Sequence, residues 1–480
     1  MSVTKRMAKN FSWLLVGGVV SGGLNFLLAI YIARVLGAAS FGLLNFALAF
    51  LSYLLLIVDA GLSLFGMREI AKNQAAVGRI VLDLLAVRVL VSAISFLALL
   101  IIIYWLPVSA EMRLLFVATF LFIFYVALNA EWIFQGLEKM EWMASLKILF
   151  SVACFFLVIF LVKRPGDLIR VPLIQFACGM VVATLGLVLL FRFIISAEIR
   201  RFNPQTWKTY LVLALPLTAS MVLTKIYTNL DTIMLGFMDS AAVVGFYNAA
   251  YKIYSIFIAV FGVWQAAAIP VATNRIHSDP ARARVFIEKF TRLTLLVTIP
   301  FIILVFLLAP LLVSVIFGED YAPATLALRI LIWNLLPIVI GSVCGMLVLV
   351  PAGRFNWFLI GAGAGAVINV VLNFLLIPRY SLAGAAVATI CAETAGALSA
   401  FYFMRKVLKL EIIKFILKPL WLTALALIVF ALVYWAGVAL PIYVRWFVSA
   451  IGFVVIYAIL LLWTEKNFIF EFAGEILGNK

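Results

Sequence analysis

NLDTIMLGFMDSAAVVGFYNAAYKIY, Asn229 to Tyr254, is the stretch on which the fold turns. It places an aspartate, Asp231, and a lysine, Lys252, in apolar surroundings on either side of a glycine-marked turn from Gly236 to Val243. Read as the end of one membrane span and the start of the next, it is a pair of helices in lipid with charge on both arms.

The composition around it supports that reading. Of 480 residues, 67% are hydrophobic and 12% charged, and the mean hydropathy is +1.22. A soluble domain carries about 25% charged residues. A helix crosses the hydrocarbon with roughly 20 apolar residues, and runs of that length recur from end to end. Fourteen spans are expected, at 11–33, 41–62, 81–106, 112–135, 143–163, 171–193, 209–235, 244–272, 290–315, 325–350, 355–377, 382–404, 415–438 and 442–463. The fold class is therefore an all-α polytopic membrane protein. The first run follows Lys5, Arg6 and Lys9 but continues to Ala33 without a small-x-small cleavage site, so it reads as a retained helix. Cys154, Cys178, Cys344 and Cys391 lie in or near apolar segments without CxxC spacing, and His277 is the lone histidine. Neither pattern suits a metal centre or catalytic triad. No GxxxxGK[ST] phosphate loop occurs, and the chain is read as a transporter and not an enzyme.

Lysine and arginine set the orientation, because positive residues stay on the cytoplasmic side. Alternate loops hold 24 of them, whereas the opposite loops hold seven, Arg34, Arg113, Lys163, Arg164, Arg170, Arg379 and Arg445. Both termini are expected to be cytoplasmic in a cell inner membrane. The basic loop KRPGDLIR, 163–170, is the one that fits this poorly. The formal charge of +16 then reports attraction to anionic headgroups, and no soluble basic module exists to bind nucleic acid.

The decisive stretch has an echo. IARVLGAASFGLLNFALAF, Ile32 to Phe50, aligns with Thr232 to Ile253: Leu36-Gly37 with Leu235-Gly236, and Gly42 and Asn45 with Gly245 and Asn248. Both copies follow an even number of spans, so the repeat is parallel, its bundles related by an axis along the membrane normal. The expected organisation is a six-helix bundle at 1–198, a second at 199–410, a central cleft, and two further helices with a tail at 411–480. MREIAKNQAAVGRI (Met67 to Ile80) and HSDPARARVFIEKF (His277 to Phe290) occupy matching places as short amphipathic inner-surface segments.

An ion in the bilayer centre is costly and faces protein or a wet cavity unless it snorkels. Lys225 and Lys252 lie roughly 9 to 11 residues from the turn, near midplane at 1.5 Å per residue. Arg329 adds charge toward the outer mouth and Arg88 toward the inner side. Together they suit a phosphate or carboxylate; the plainer reading is neutralisation in a core or snorkelling. Asp59 and Asp231 lie near span ends, as capping groups or as state-dependent partners of the cations. Tyr247, Tyr251 and Tyr254 recur at helical spacing beside Asn248, either to contact sugars or to form an interfacial aromatic belt.

The stretches NFSWLLVGGVVSGGLNFLLAIYIARVLGAASFGLLNFALAF and NLDTIMLGFMDSAAVVGFYNAAYKI resemble the polysaccharide biosynthesis or O-antigen flippases, in the superfamily of multidrug and lipid-linked oligosaccharide exporters. The resemblance covers nearly the whole chain. It implies alternating-access transfer of a polyprenyl-diphosphate-linked oligosaccharide from the cytoplasmic to the external leaflet, driven by protons, sodium or membrane potential. It implies no cofactor, and membrane lipids and a polysaccharide polymerase or other assembly machinery as partners. Arg34, Gly37, Phe41 and Gly42 match its first signature; Asp231, Gly236, Gly245, Tyr247, Ala250 and Lys252 match its second. The alternatives are a multidrug exporter of the same fold, which would favour a more acidic pocket, and a non-transporting scaffold of a glycan assembly complex.

Overall fold

The computed structural model describes residues 3–73, 77–105, 107–193, 204–412 and 414–477, with side chains except those of 3–8, 193, 204, 206, 214–228, 473 and 475–477. Every regular element among them is helical, which is how a chain of this hydropathy satisfies its backbone without water. Eleven stretches among the described residues are long and apolar enough to cross a bilayer. The chain is an all-α polytopic membrane protein, and it divides into two compact units, Met1–Gly245 and Phe246–Lys480.

The first unit begins with α1 (Val3–Asp59), whose 57 residues would reach roughly 85 Å at 1.5 Å per residue. That far exceeds the hydrocarbon thickness of about 30 Å, and the helix breaks at Gly37 (φ 75°, ψ 169°), between the first two expected spans. Nothing lies within 4 Å of where a Cβ would be, so the need for glycine here is conformational and not steric. After Ala60 and Gly61, both at positive φ, α2 (Leu62–Lys72) buries Leu62, Phe65 and Ile70. This is the expected amphipathic segment after span two, displaced toward its N-terminal side. Then come α3 (Val77–Trp105), α4 (Ala110–Phe120), α5 (Phe122–Leu128), α6 (Glu131–Gly136), α7 (Met140–Leu161), α8 (Arg170–Phe193) and α9 (Pro204–Met238).

The fourth expected span, at 112–135, is three helices. Asn129 is extended (φ −61°, ψ 125°), its Oδ1 accepts from the Glu131 N–H at 2.8 Å, and its Nδ2 donates to the Tyr125 hydroxyl at 3.1 Å. An asparagine that satisfies the backbone locally favours a helix start over a helix interior. Val81, Leu84, Ile133, Phe134 and Leu190 form a buried core with the α2 side chains.

The loop that the charge pattern left unexplained also has a structural account. Asp167 accepts from the N–H groups of Lys163 (2.9 Å) and Arg164 (3.2 Å) and pairs with Arg170 at 3.0 Å. Arg170 also donates to the Leu161 carbonyl, and the Tyr31 hydroxyl donates to those of Ile159 and Val162. Asp167 and the Arg170 guanidinium are therefore engaged in closing the end of α7.

In the second unit, α10 (Ala241–Ser278) enters from the first and is followed by α11 (Pro280–Phe317), α12 (Ala324–Leu331), α13 (Leu335–Cys344), α14 (Phe355–Met404), α15 (Lys414–Ala436) and α16 (Ile442–Leu477). The second amphipathic segment, expected at 277–290, is not a separate helix. Asp279 caps α11 through the N–H groups of Ala281 and Arg282, and the basic residues form its first turns. The 50-residue α14 breaks at Ser381 (φ 53°, ψ −133°), three residues after Pro378, where spans eleven and twelve were expected to part.

Pro300 and Pro310 lie inside α11. Each lacks the N–H that would bond the carbonyl four residues back, which leaves Leu296 and Phe306 with free carbonyls. The hydroxyl of Tyr457 on α16 donates to Leu296 O at 2.6 Å, and Nε of Arg329 on α12 donates to Phe306 O at 3.2 Å. Side chains from two neighbours thus replace the two missing bonds. Leu296, Leu422, Phe430, Phe453 and Tyr457 form the apolar cluster that seats α15 and α16 on α11. Tyr457→Phe keeps this packing but orphans a buried carbonyl. It is expected to cost roughly 1–2 kcal/mol, read as a lower unfolding temperature in detergent; an unchanged value would show that Leu296 finds another donor.

Candidate substrate-binding site

The charges that the sequence places inside the membrane fall in both units. In the first, Arg88 lies on α3 and is 2% exposed. Its Nη2 donates to the Val126 carbonyl at 2.6 Å and stands 3.4 Å from Asp59 Oδ1. The Ser63 hydroxyl donates to the same carboxylate. The structure therefore brings together two residues read separately from the sequence, one as an anion contact and one as a coupling group. Arg88 Nε and Nη1 have no hydrogen-bond partner, so the guanidinium retains donors for a further acceptor. In this conformation it is closed off, and an anion reaches it only if this packing opens.

Asp231 on α9 is also buried, 4% exposed, close enough to the Tyr53 hydroxyl to act on it electrostatically. Lys225 lies on the same helix, but its side chain falls outside the described residues. Arg34 is exposed on α1.

The repeat glycines have distinct tasks. A Cβ on Gly42 would sit 1.7 Å from the Ala241 carbonyl oxygen, and one on Gly245 would sit 2.0 Å from that of Ala38. Gly42 and Gly245 are separated by 203 residues, as are Ala38 and Ala241. Each copy's glycine thus receives the other copy's alanine carbonyl, the reciprocity of a two-fold interface. The Leu-Gly pairs match less well. Gly37 breaks a helix at positive φ, whereas Gly236 lies within α9 and packs against the Phe46 ring, its Cβ position 2.1 Å from a ring carbon. The second copy makes its turn at Asp239 and Ser240, and the four extra residues explain the change of offset.

In the second unit the tyrosine ladder of α10 is mainly core. Tyr247 and Tyr254 are each 1% exposed; Tyr251 lies between them, 6.3 Å and 5.5 Å from their ring centroids. The Tyr254 hydroxyl accepts from Asn334 Nδ2 at 2.9 Å. Of the three rings only Tyr251 remains half-buried. Asn248, Lys252 and Ser255 follow at steps of four and three, a half-buried polar ribbon on one helical face. Among the described residues no carboxylate is ion-paired with Lys252. Arg329, expected near a substrate mouth, instead caps the proline-vacated carbonyl of α11 and lies over the Phe306 ring at 5.4 Å.

Sequence reasoning passed over two buried carboxylates, Asp83 on α3, which is fully buried, and Glu465. Glu465 is 2% exposed and holds Arg292 at 2.6 Å and Lys418 at 2.5 Å. It falls just past the last expected span, where a carboxylate reads as solvated. Its spacing from Lys418 across the α15–α16 hairpin was the available signal.

Residues 7–276 match the family model of polysaccharide biosynthesis proteins, and residues 216–375 match the MatE family. A protein of Escherichia coli (strain K12) named "Putative O-antigen transporter" is 24% identical over 397 residues, covering 77% of this chain and 91% of its own. The solved structure of the lipid II flippase MurJ, in an inward closed conformation, superposes with a TM-score of 0.74 at 15% identity, over 96% of this chain and 100% of that one. An inward-facing multidrug resistance MATE family transporter of the MOP superfamily gives 0.67 at 14% identity, over 83% and 97%. At these identities the structural likeness is one of fold.

Proposed function

This chain belongs to the polysaccharide biosynthesis protein family, and from that footing we propose that it is an alternating-access flippase. Its substrate is a polyprenyl-diphosphate-linked oligosaccharide, moved from the cytoplasmic to the external leaflet of an inner membrane for cell-surface polysaccharide. The observation that carries the reading is intramembrane cationic chemistry in a chain similar, over most of both lengths, to a protein named for O-antigen transport. Each unit carries an intramembrane cation that suits a phosphate, Arg88 in the first and Lys252 in the second; Asn248 and Tyr251 beside Lys252 suit a sugar, and the lipid tail stays in the bilayer. Translocation breaks no covalent bond, so the reading requires no nucleophile or metal. In this reading both termini are cytoplasmic and the chain crosses fourteen times, twice in each of the kinked helices α1 and α14.

A membrane potential of 100 mV, negative inside, favours outward movement of an uncompensated negative charge by about 2.3 kcal/mol. A cation entering in exchange adds to that drive, and one moving outward with the substrate cancels it. Asp59, poised on Arg88, is the group proposed to exchange partners during the cycle, with sodium or protons as the coupling ion. A multidrug exporter is the second reading; the MatE match at 216–375 favours it, and the buried cations argue against it for cationic drugs.

The test is leaflet transfer of a labelled polyprenyl-diphosphate oligosaccharide by the reconstituted chain. Lys252→Ala and Lys225→Ala are each expected to slow transfer at least about tenfold, a loss near 1.4 kcal/mol in transition-state binding, with unfolding temperatures held. Wild-type rates in both folded variants would remove the cationic site from the mechanism.

A further inference from the structure

A cavity of about 250 Å³ in the second unit is lined by Arg292, Leu296, Lys414, Phe415, Lys418 and Pro419. Three of the six are cations from two helices, α11 and α15. The other three are apolar. None belongs to the residues assigned above to the translocated substrate.

The charges around this cavity do not cancel. Glu465 is shared between Arg292 and Lys418, and Lys414 pairs with Glu411 at 2.9 Å. Three cations thus face two carboxylates. Glu411 is 67% exposed in its side chain, and such surface pairs exchange readily for another anion. Donor capacity is also in excess. An ammonium has three N–H groups and a guanidinium five. Lys414 commits one to Glu411, and Arg292 commits Nη2 to Glu465 while its guanidinium lies 4.3 Å over the Phe468 ring. Glu465 fixes Arg292 and Lys418 from beneath, so the cavity is pre-organised for an acceptor with several oxygens.

Position and lining identify the source of that acceptor. Lys414 begins α15, which is 23 residues long and so spans the hydrocarbon; its first turn lies at headgroup depth. Leu417, Leu420 and Trp421 on the following turns are 71%, 46% and 65% exposed, an apolar surface alongside which acyl chains run. A free phosphate has no use for such a surface.

We propose that this cavity binds the phosphate headgroup of an acidic phospholipid, a lipid site separate from the translocation residues. Its assignment to the cytoplasmic leaflet rests on the orientation adopted under the proposed function.

The test is to titrate radiolabelled phosphatidylglycerol onto the delipidated full-length chain in detergent, with phosphatidylcholine and inorganic phosphate as competitors. Lysine near an anionic lipid contributes about 1 kcal/mol, or roughly fivefold in affinity. The double variant Lys414→Gln/Lys418→Gln is expected to bind phosphatidylglycerol roughly 25-fold more weakly on that scale. Lys414→Arg/Lys418→Arg keeps the charge and should restore binding, which separates recognition from a fold lost with the Glu465 pair. Lys208→Gln, an exposed cation on α9, should leave binding unchanged. Equal binding by the glutamine variant and wild type overturns the site, and so does inorganic phosphate competing as strongly as the lipid. Orientation is tested apart: labelling of Lys414→Cys from outside intact cells would sink the leaflet assignment and leave headgroup binding standing.

Discussion

Gly42→Ala and Gly245→Ala are expected to destabilise the protein sharply, by about 3 kcal/mol each, at the upper end of what overpacking costs. The new methyl carbon would lie 1.7 Å or 2.0 Å from a backbone carbonyl oxygen. A flexible side chain could swing aside, but a carbonyl moves only with its helix. The check is the unfolding temperature against Gly18→Ala and Gly262→Ala, where nothing lies within 4 Å of the added carbon. Those controls should hold or gain, since alanine is the better helix former by about 1 kcal/mol. Because the contact is reciprocal, the two variants should respond alike. Similar behaviour of Gly42→Ala and Gly18→Ala would refute the close approach.

The second large effect concerns Asp59 and Arg88. Asp59→Ala strands a guanidinium that is 2% exposed, and breaking a buried pair in this way costs about 3–5 kcal/mol. Arg88→Met should cost less, because the Asp59 side chain is 19% exposed and keeps its bond from Ser63. The double variant Asp59→Leu/Arg88→Met should regain most of the loss, since apolar groups of similar volume replace buried ion pairs with little penalty. A stability cycle of the three variants measures this directly. Leaflet transfer then tells structure from function: a stable double variant that still transfers substrate would reduce the pair to packing.

Some of this architecture was legible from residues alone. The breaks at Gly37 and Ser381 fall where spans were expected to part, the first at a glycine that supplies a conformation other residues avoid, the second just after Pro378, which ends a hydrogen-bond ladder. The pairing of Gly42 with Gly245 was read from the repeat, but not their reciprocal contact, and the Leu-Gly pair did not extend it: one glycine serves a dihedral angle and the other a phenylalanine ring. The division of 112–135 into three helices was hidden because Asn129 reads equally as an interhelical hydrogen bonder.

The site was harder to read than the fold. Charge and depth marked Arg329 and Arg88 as anion contacts, but hydrophobic periodicity says nothing about which carbonyl or carboxylate a long side chain will meet. Arg329 found the gap left by Pro310, and Arg88 found Asp59, 29 positions earlier in the chain. Tyr247 and Tyr254 matched the spacing of a sugar platform, yet helical spacing is equally that of a core face, and in this conformation both rings are buried.

The two notches of α11 also bear on how such a sequence diverges. A lineage that exchanged Pro300 for an amide-bearing residue would restore the ordinary ladder and release Tyr457 from selection on its hydroxyl. Pro310 and Arg329 form a second such couple, free to drift on its own schedule. Substitution histories should therefore show two linked columns pairs within one rod, each proline lost together with the distant donor that had made it tolerable.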